Sequence, residues 1–122
     1  MKNKLSPETP VGFVSVDVDL YSSAKDCLKL FQGEAECYLP AVINWFDDVE
    51  HAITMNSWCG EALAIKEFNE ANNFRKIEKK QVRTNRPQKW WHHQFYFAHI
   101  LDHPVRTGEK KAQSLSINMF EF

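Results

Sequence analysis

Two apolar runs, Val11–Val18 and Leu39–Phe46, each deliver carboxylates at their ends. The first leads into Asp17-Val18-Asp19-Leu20-Tyr21-Ser22-Ser23, and the second closes on Asp47-Asp48. Runs of this length and composition read as strands. In open parallel sheets, ligands bind outside the carboxyl ends of the strands. Four carboxylates gathered there repel one another unless a cation or a shared proton compensates. The pattern predicts an α/β chain with a divalent-metal site at the strand ends, and it does not by itself name a reaction.

With 122 residues the chain is one domain or part of one, long enough for a modest core. Hydrophobic residues make up 43% and aromatics 13%, which excludes a disordered chain. The net charge of -1 supplies no global field to recruit nucleic acid or acidic lipid, so neither is expected as a partner. No apolar run approaches the roughly 20 residues that span a bilayer, and Met1–Pro7 lacks the apolar stretch of a signal peptide. A cytoplasmic protein is the expectation. Cys27, Cys37 and Cys59 are odd in number and far apart, so they indicate buried or half-buried thiols and no disulfide or zinc framework.

Residues 1–10 are polar, carry Pro7 and Pro10, and read as a lead-in. Over Val11–Leu20, period two puts Val14, Val16, Val18 and Leu20 on one strand face. Phe13, Ser15, Asp17 and Asp19 take the other, so both aspartates share a side. Ser22 or Ser23 then caps a helix whose buried face is Cys27, Leu30 and Phe31 and which Gly33 ends. Leu39–Phe46 is the second strand, with Pro40 allowed only near its start. A polar loop over 49–57 leads to a helix at about 59–73, with Ala64, Phe68 and Ala71 on one face and Asn72-Asn73 as the stop. Arg75–Thr84 reads as a polar strand and Trp91–Leu101 as an apolar one. Their connection has no room for a helix, which makes them antiparallel.

The order is therefore β-α-β-α-β-β. Val11–Leu20 is apolar enough for a central strand, yet nothing before it can pair with it, and an unpaired edge is costly and sticky. The chain is expected to be the C-terminal half of a larger fold: lead-in 1–10, partial α/β domain 11–105, and a tail 106–122 with the apolar residues Leu115, Ile117, Met119 and Phe120. It shows no internal repeats or low-complexity segments. Self-association through the exposed edge is a further expectation.

The string Asp17–Ser23, then Leu39-Pro40, Phe46-Asp47-Asp48, Gly60–Ile65 and Glu67-Phe68-Asn69, resembles a class I S-adenosylmethionine-dependent methyltransferase. It is similar to the macrocin-type O-methyltransferases, which act on sugar hydroxyls of natural products. The resemblance covers roughly residues 11–105 and implies the C-terminal half of a Rossmann-like sheet of seven strands. Val11–Leu20 and Leu39–Phe46 become its fourth and fifth strands, and the closing antiparallel hairpin its sixth and seventh. It further implies a magnesium ion held by Asp17, Asp47 and Asp48, a ligand set that suits a hard cation. The metal would orient two hydroxyls of a small-molecule acceptor, such as a sugar, and acidify the one that is methylated. Asp19 would stand behind the ligands or help remove the proton. The family's glycine-rich cofactor loop has no counterpart, since no G-x-G occurs in the chain, so S-adenosylmethionine binding needs the absent half.

His51 follows Asp47-Asp48 within one loop and is a base if it reaches the site, a surface histidine otherwise. Trp90-Trp91-His92-His93, preceded by Arg83, Arg86 and Lys89, combines cations with stacking rings. The neutral overall balance favours ordinary sheet-edge architecture there. A magnesium-dependent phosphatase of the haloacid-dehalogenase type also places D-x-D after one strand and Asp-Asp after another. Tyr21 stands where that family wants Thr or Val, and its Lys/Ser strand motif is missing. A non-catalytic remnant of a methyltransferase is the remaining alternative.

Overall fold

Residues 5–47, 49, 56–80 and 94–108 are described by the structure, a computed structural model. Within them lie four strands and three α-helices: β1 (Val11–Val16), α1 (Tyr21–Leu28), β2 (Tyr38–Phe46), α2 (Gly60–Ala71), β3 (Arg75–Lys79), β4 (Phe95–Ile100) and α3 (Pro104–Thr107). The sheet is mixed, in the order β1-β2-β4-β3. β1 and β2 are parallel neighbours joined through α1, as a βαβ unit requires. β4 runs antiparallel to both of its neighbours, so β3 points the same way as β2 with β4 inserted between them. The expected antiparallel closing pair is present as β3 and β4, within an α/β fold.

Alternation along the strands decides which face is buried. Val16, Tyr38, Val42, Phe46, Ile77, Ala98 and Ile100 join Ala24, Leu28 and Phe31 of the first helical segment and Ala64, Ile65 and Phe68 of α2 in one core cluster. Val42, Phe46 and Ile100 are fully buried, each worth about 1.5–3 kcal/mol relative to exposure. The opposite sheet face carries Phe13, Ile43 and Phe97 in one cross-strand row. Trp45 and Phe95 form the next row, packed edge to face at 5.0 Å between ring centroids.

Several local expectations shift. β1 ends at Val16 and not at Leu20: Asp17 and Val18 belong to no regular element, and the chain bends at Asp19-Leu20 to enter α1. Leu20 and not a serine takes the N-cap position, without a side-chain cap bond. Starting the helix there rotates its face: Ala24, Leu28 and Phe31 are buried, whereas Cys27 is exposed. Cys37 is buried and Cys59 half-buried. A 3₁₀ turn over Lys29–Gln32 extends α1 to Gly33, the expected end. In α2 the buried face is Glu61, Ala64, Ile65 and Phe68, while Ala71 is exposed. Asn72 stops that helix as expected. Pro40 falls inside β2, at the register shift between the Val11 and Phe13 pairs. The lead-in is anchored, since Leu5 packs against the core. Residues 81–84 and 91–93 of the two expected later strands lie outside the described residues.

Candidate metal centre

Parallel pairing in register sets the geometry of the carboxylates. Ser15 pairs with Trp45 and Val16 with Phe46. The Asp47 amide then donates to the Val16 carbonyl at 3.0 Å, carrying the ladder one step past both strands. Asp17 and Asp47 thus emerge side by side at the carboxyl edge of the parallel pair. Both are exposed. Gln94 Nε2 donates to the Asp47 carbonyl at 2.7 Å, and Trp45 Nε1 approaches the Asp47 carboxylate at 3.4 Å.

The electrostatics report the crowding. Repulsion from Asp47 raises the Asp17 pKa above its ordinary 3.8, reinforced by partial desolvation, by Asp19, and by a hydrogen bond shared with the Asp47 carboxyl. Asp19 is exposed and lies past the end of β1, so period-two alternation does not govern its direction, yet its charge still reaches Asp17. Asp48 and His51 lie outside the described residues. Among the described residues, no group of three or more His, Cys, Asp or Glu side chains is set to hold a metal ion. Asp17 and Asp47 alone offer two adjacent hard oxygen donors with unfavourable mutual charge, which is the chemistry a magnesium-type cation relieves.

Two motif segments meet behind this edge. Tyr21, from the Asp17–Ser23 string, donates to Glu67 Oε2 on α2, and that bond is the chief reason its phenol pKa is raised. Lys25 approaches the same carboxylate at 3.8 Å. Asn69, two residues beyond Glu67, brackets Ile77 of β3 by accepting from its amide at 2.7 Å and donating to its carbonyl at 2.8 Å. The segment Glu67-Phe68-Asn69 therefore holds α1 and β3 to α2. A groove of about 240 Å³ between the helices is lined by Lys25, Leu28, Glu67, Phe68 and other helix residues, and no site carboxylate borders it.

Three further polar residues carry no role in the sequence pattern: two on elements that reach the Asp47 end of β2, and one buried in α2. Asn44 is fully buried in β2; its Nδ2 donates to the Val42 carbonyl at 3.2 Å, and its Oδ1 has no hydrogen-bond partner among the described residues. A polar residue on the core-facing phase of an apolar run was the available signal. Glu61 is buried in the first turn of α2, where the helix dipole favours a carboxylate. Gln94 was hidden by its place next to the aromatic run that follows it.

No family model, curated protein or solved structure matches the chain. Among the described residues, no helix is long and apolar enough to cross a membrane.

Proposed function

We propose that this chain supplies the metal-binding half of an S-adenosylmethionine-dependent O-methyltransferase of the macrocin type, acting on a hydroxyl of a small molecule such as a sugar. The observation that carries the reading is the adjacency of Asp17 and Asp47 at the carboxyl edge of a parallel strand pair. Asp17, Asp47 and Asp48 would hold magnesium, and the ion would supply positive charge that acidifies a hydroxyl bound to it. Asp19, close enough to act on the Asp17 charge, belongs to the same acidic edge. His51 is the proposed base for the hydroxyl proton. The residues present do not fit S-adenosylmethionine: with no G-x-G in the sequence, the chain has no glycine loop to cradle it. The cofactor-binding half would lie outside these 122 residues, and the chain by itself is expected to be inactive.

Calorimetric titration of magnesium into the chain and into Asp17→Asn and Asp47→Asn tests the ligand assignment. Binding by the parent that weakens tenfold or more in both variants, on the order of what lost metal-site contacts cost, supports it. Equal affinity in all three overturns it.

A second reading, a self-associating half-domain, is favoured by one observation. Among the described residues β1 pairs only with β2, and Phe13 on that edge strand is 58% exposed. Light scattering that finds a strict monomer at every concentration rejects it.

A further inference from the structure

Two imidazole nitrogens hold α3 in place. His99 on β4 faces Arg106 on α3, with Nδ1 2.7 Å from Nη2. A guanidinium can only donate, so His99 Nδ1 accepts through its lone pair and the ring proton sits on Nε2. Arg106 Nε also donates to the Pro40 carbonyl at 3.0 Å, which ties α3 to the opening residues of β2. His103 repeats the requirement one turn earlier, where its Nδ1 accepts from the Val105 amide at 3.1 Å and caps α3. Gly108 closes α3 at a φ of 86°, in the left-handed region that glycine takes without a Cβ penalty.

We propose that α3 is an acid-released clasp: it stays docked on the sheet while His99 and His103 are neutral at Nδ1, and lets go of β2 when they take up protons there.

The groups around each imidazole set the direction. Arg106 faces His99 from α3, and Glu78 faces it from β3 with its carboxylate 3.6 Å from Nε2. Lys76 of β3 and the uncharged Ala41 of β2 are its cross-strand register partners. Burial and Arg106 together hold the His99 pKa below the ordinary 6.5, against a weaker pull upward from Glu78. Glu78 is 65% exposed, so its attraction is screened by water. Next to His103 stands Asp102, whose carboxylate is forked by Arg75 and also attracted by the His103 ring, so it does not oppose a proton there. A proton on His99 Nδ1 sets two donors and two positive charges face to face, and Arg106 has to leave.

The undocked histidine protonates near its ordinary 6.5. The docked state is therefore fully favoured above that value and loses ground as the pH falls toward the lower docked pKa. The loss is about tenfold per pH unit within this window and levels off once the docked His99 is itself protonated.

NMR of the full chain from about pH 7.5 to about pH 5, the range in which histidine titrates, tests the clasp. The expected result is Nε2–H tautomers for both histidines at the start, then movement of the Val105, Arg106 and Thr107 amides with the His99 midpoint. The Val42 and Phe46 amides should stay still, showing that the sheet remains folded. The double variant His99→Gln, His103→Asn keeps an acceptor oxygen at each place without a titrating proton, and its α3 amides should not move. An Nδ1–H tautomer of His99 at neutral pH overturns the proposal. So do α3 amides that ignore the titration, and a double variant with an unchanged transition.

Discussion

Asp17 and Asp47 stand one residue beyond the Val16–Phe46 register pair, on neighbouring parallel strands, and Asp47 is the largest cause of the raised Asp17 pKa. In the folded chain Asp17 holds its proton more tightly than in the unfolded one. Its contribution to stability is therefore fully present below its ordinary 3.8 and is lost as the pH rises through the higher folded value. At neutral pH the pair is a source of repulsion.

Asp47→Asn removes the leading cause of that repulsion. The expected outcome is an Asp17 pKa that falls back toward 3.8, followed by carboxyl NMR titration, and a melting temperature that rises at neutral pH but not below the ordinary value. Magnesium should produce the same fall in the parent and less of it in the variant. An Asp17 titration that is indifferent both to Asp47→Asn and to magnesium would leave the carboxylates without a shared role. Added salt screens exposed charges and should mimic a part of the effect.

The first prediction rests on the portion of the site that sequence could show. Two apolar runs ending in acid pairs placed Asp17 and Asp47 together because parallel register is set by the runs themselves. What sequence missed depends on side chains far apart along the chain. Nothing local marks Arg75 as the partner of Asp102, or His99 as an acceptor for Arg106. Leu20 in place of a serine at the α1 N-cap shows the same limit on a smaller scale. Packing of Ala24, Leu28 and Phe31 fixed the start of that helix and overrode the cap preference.

Arg75 is the most heavily used cation among the described residues. It forms a fork with Asp102, through Nε to Oδ1 and Nη2 to Oδ2, both at 2.9 Å. Its Nη1 also donates to the carbonyls of Phe31, at 2.7 Å, and Gly33, at 3.0 Å. Arg75→Ala should cost about 2 kcal/mol, a figure that discounts the fork for the exposure of Asp102. Arg75→Lys should recover little of it, because an ammonium cannot reproduce the fork. The Arg75 hydrogen bond is the chief reason the Asp102 pKa lies below its ordinary 3.8. The stabilisation is present above that value and fades as the pH falls through the folded pKa. Denaturant melts at neutral and acidic pH check both statements: the gap between parent and Arg75→Ala should narrow in acid.

Asn69 supplies both hydrogen bonds that fasten Ile77 of the sheet-edge strand β3 to α2. Asn69→Ala leaves a buried strand residue's amide and carbonyl to find water at the edge, at a cost of about 1–3 kcal/mol. Asn69→Asp should keep the bond from the Ile77 amide and lose the one to its carbonyl. Amide exchange at Ile77 distinguishes the variants, with faster exchange in Asn69→Ala and protection largely retained in Asn69→Asp.

Gly33 and Tyr38 are fitted to one another. The Tyr38 hydroxyl accepts from the Gly33 amide at 2.7 Å and donates to the Leu30 carbonyl, closing the turn that leads from α1 into β2. A Cβ on Gly33 would lie 2.7 Å from that hydroxyl and 2.7 Å from Leu5 Cδ1, closer than side-chain atoms tolerate. Tyr38→Phe should cost about 1–3 kcal/mol, because it leaves an amide and a carbonyl unpaired in a half-buried turn. Gly33→Ala should cost a similar ~1–3 kcal/mol through overpacking. The two changes should not add. Removing the hydroxyl opens part of the space that the new methyl needs, so the double variant should be less destabilised than the sum of the singles. Equilibrium unfolding of all four proteins measures that coupling, and strict additivity would mean that Leu5, and not the tyrosine, sets the limit at Gly33.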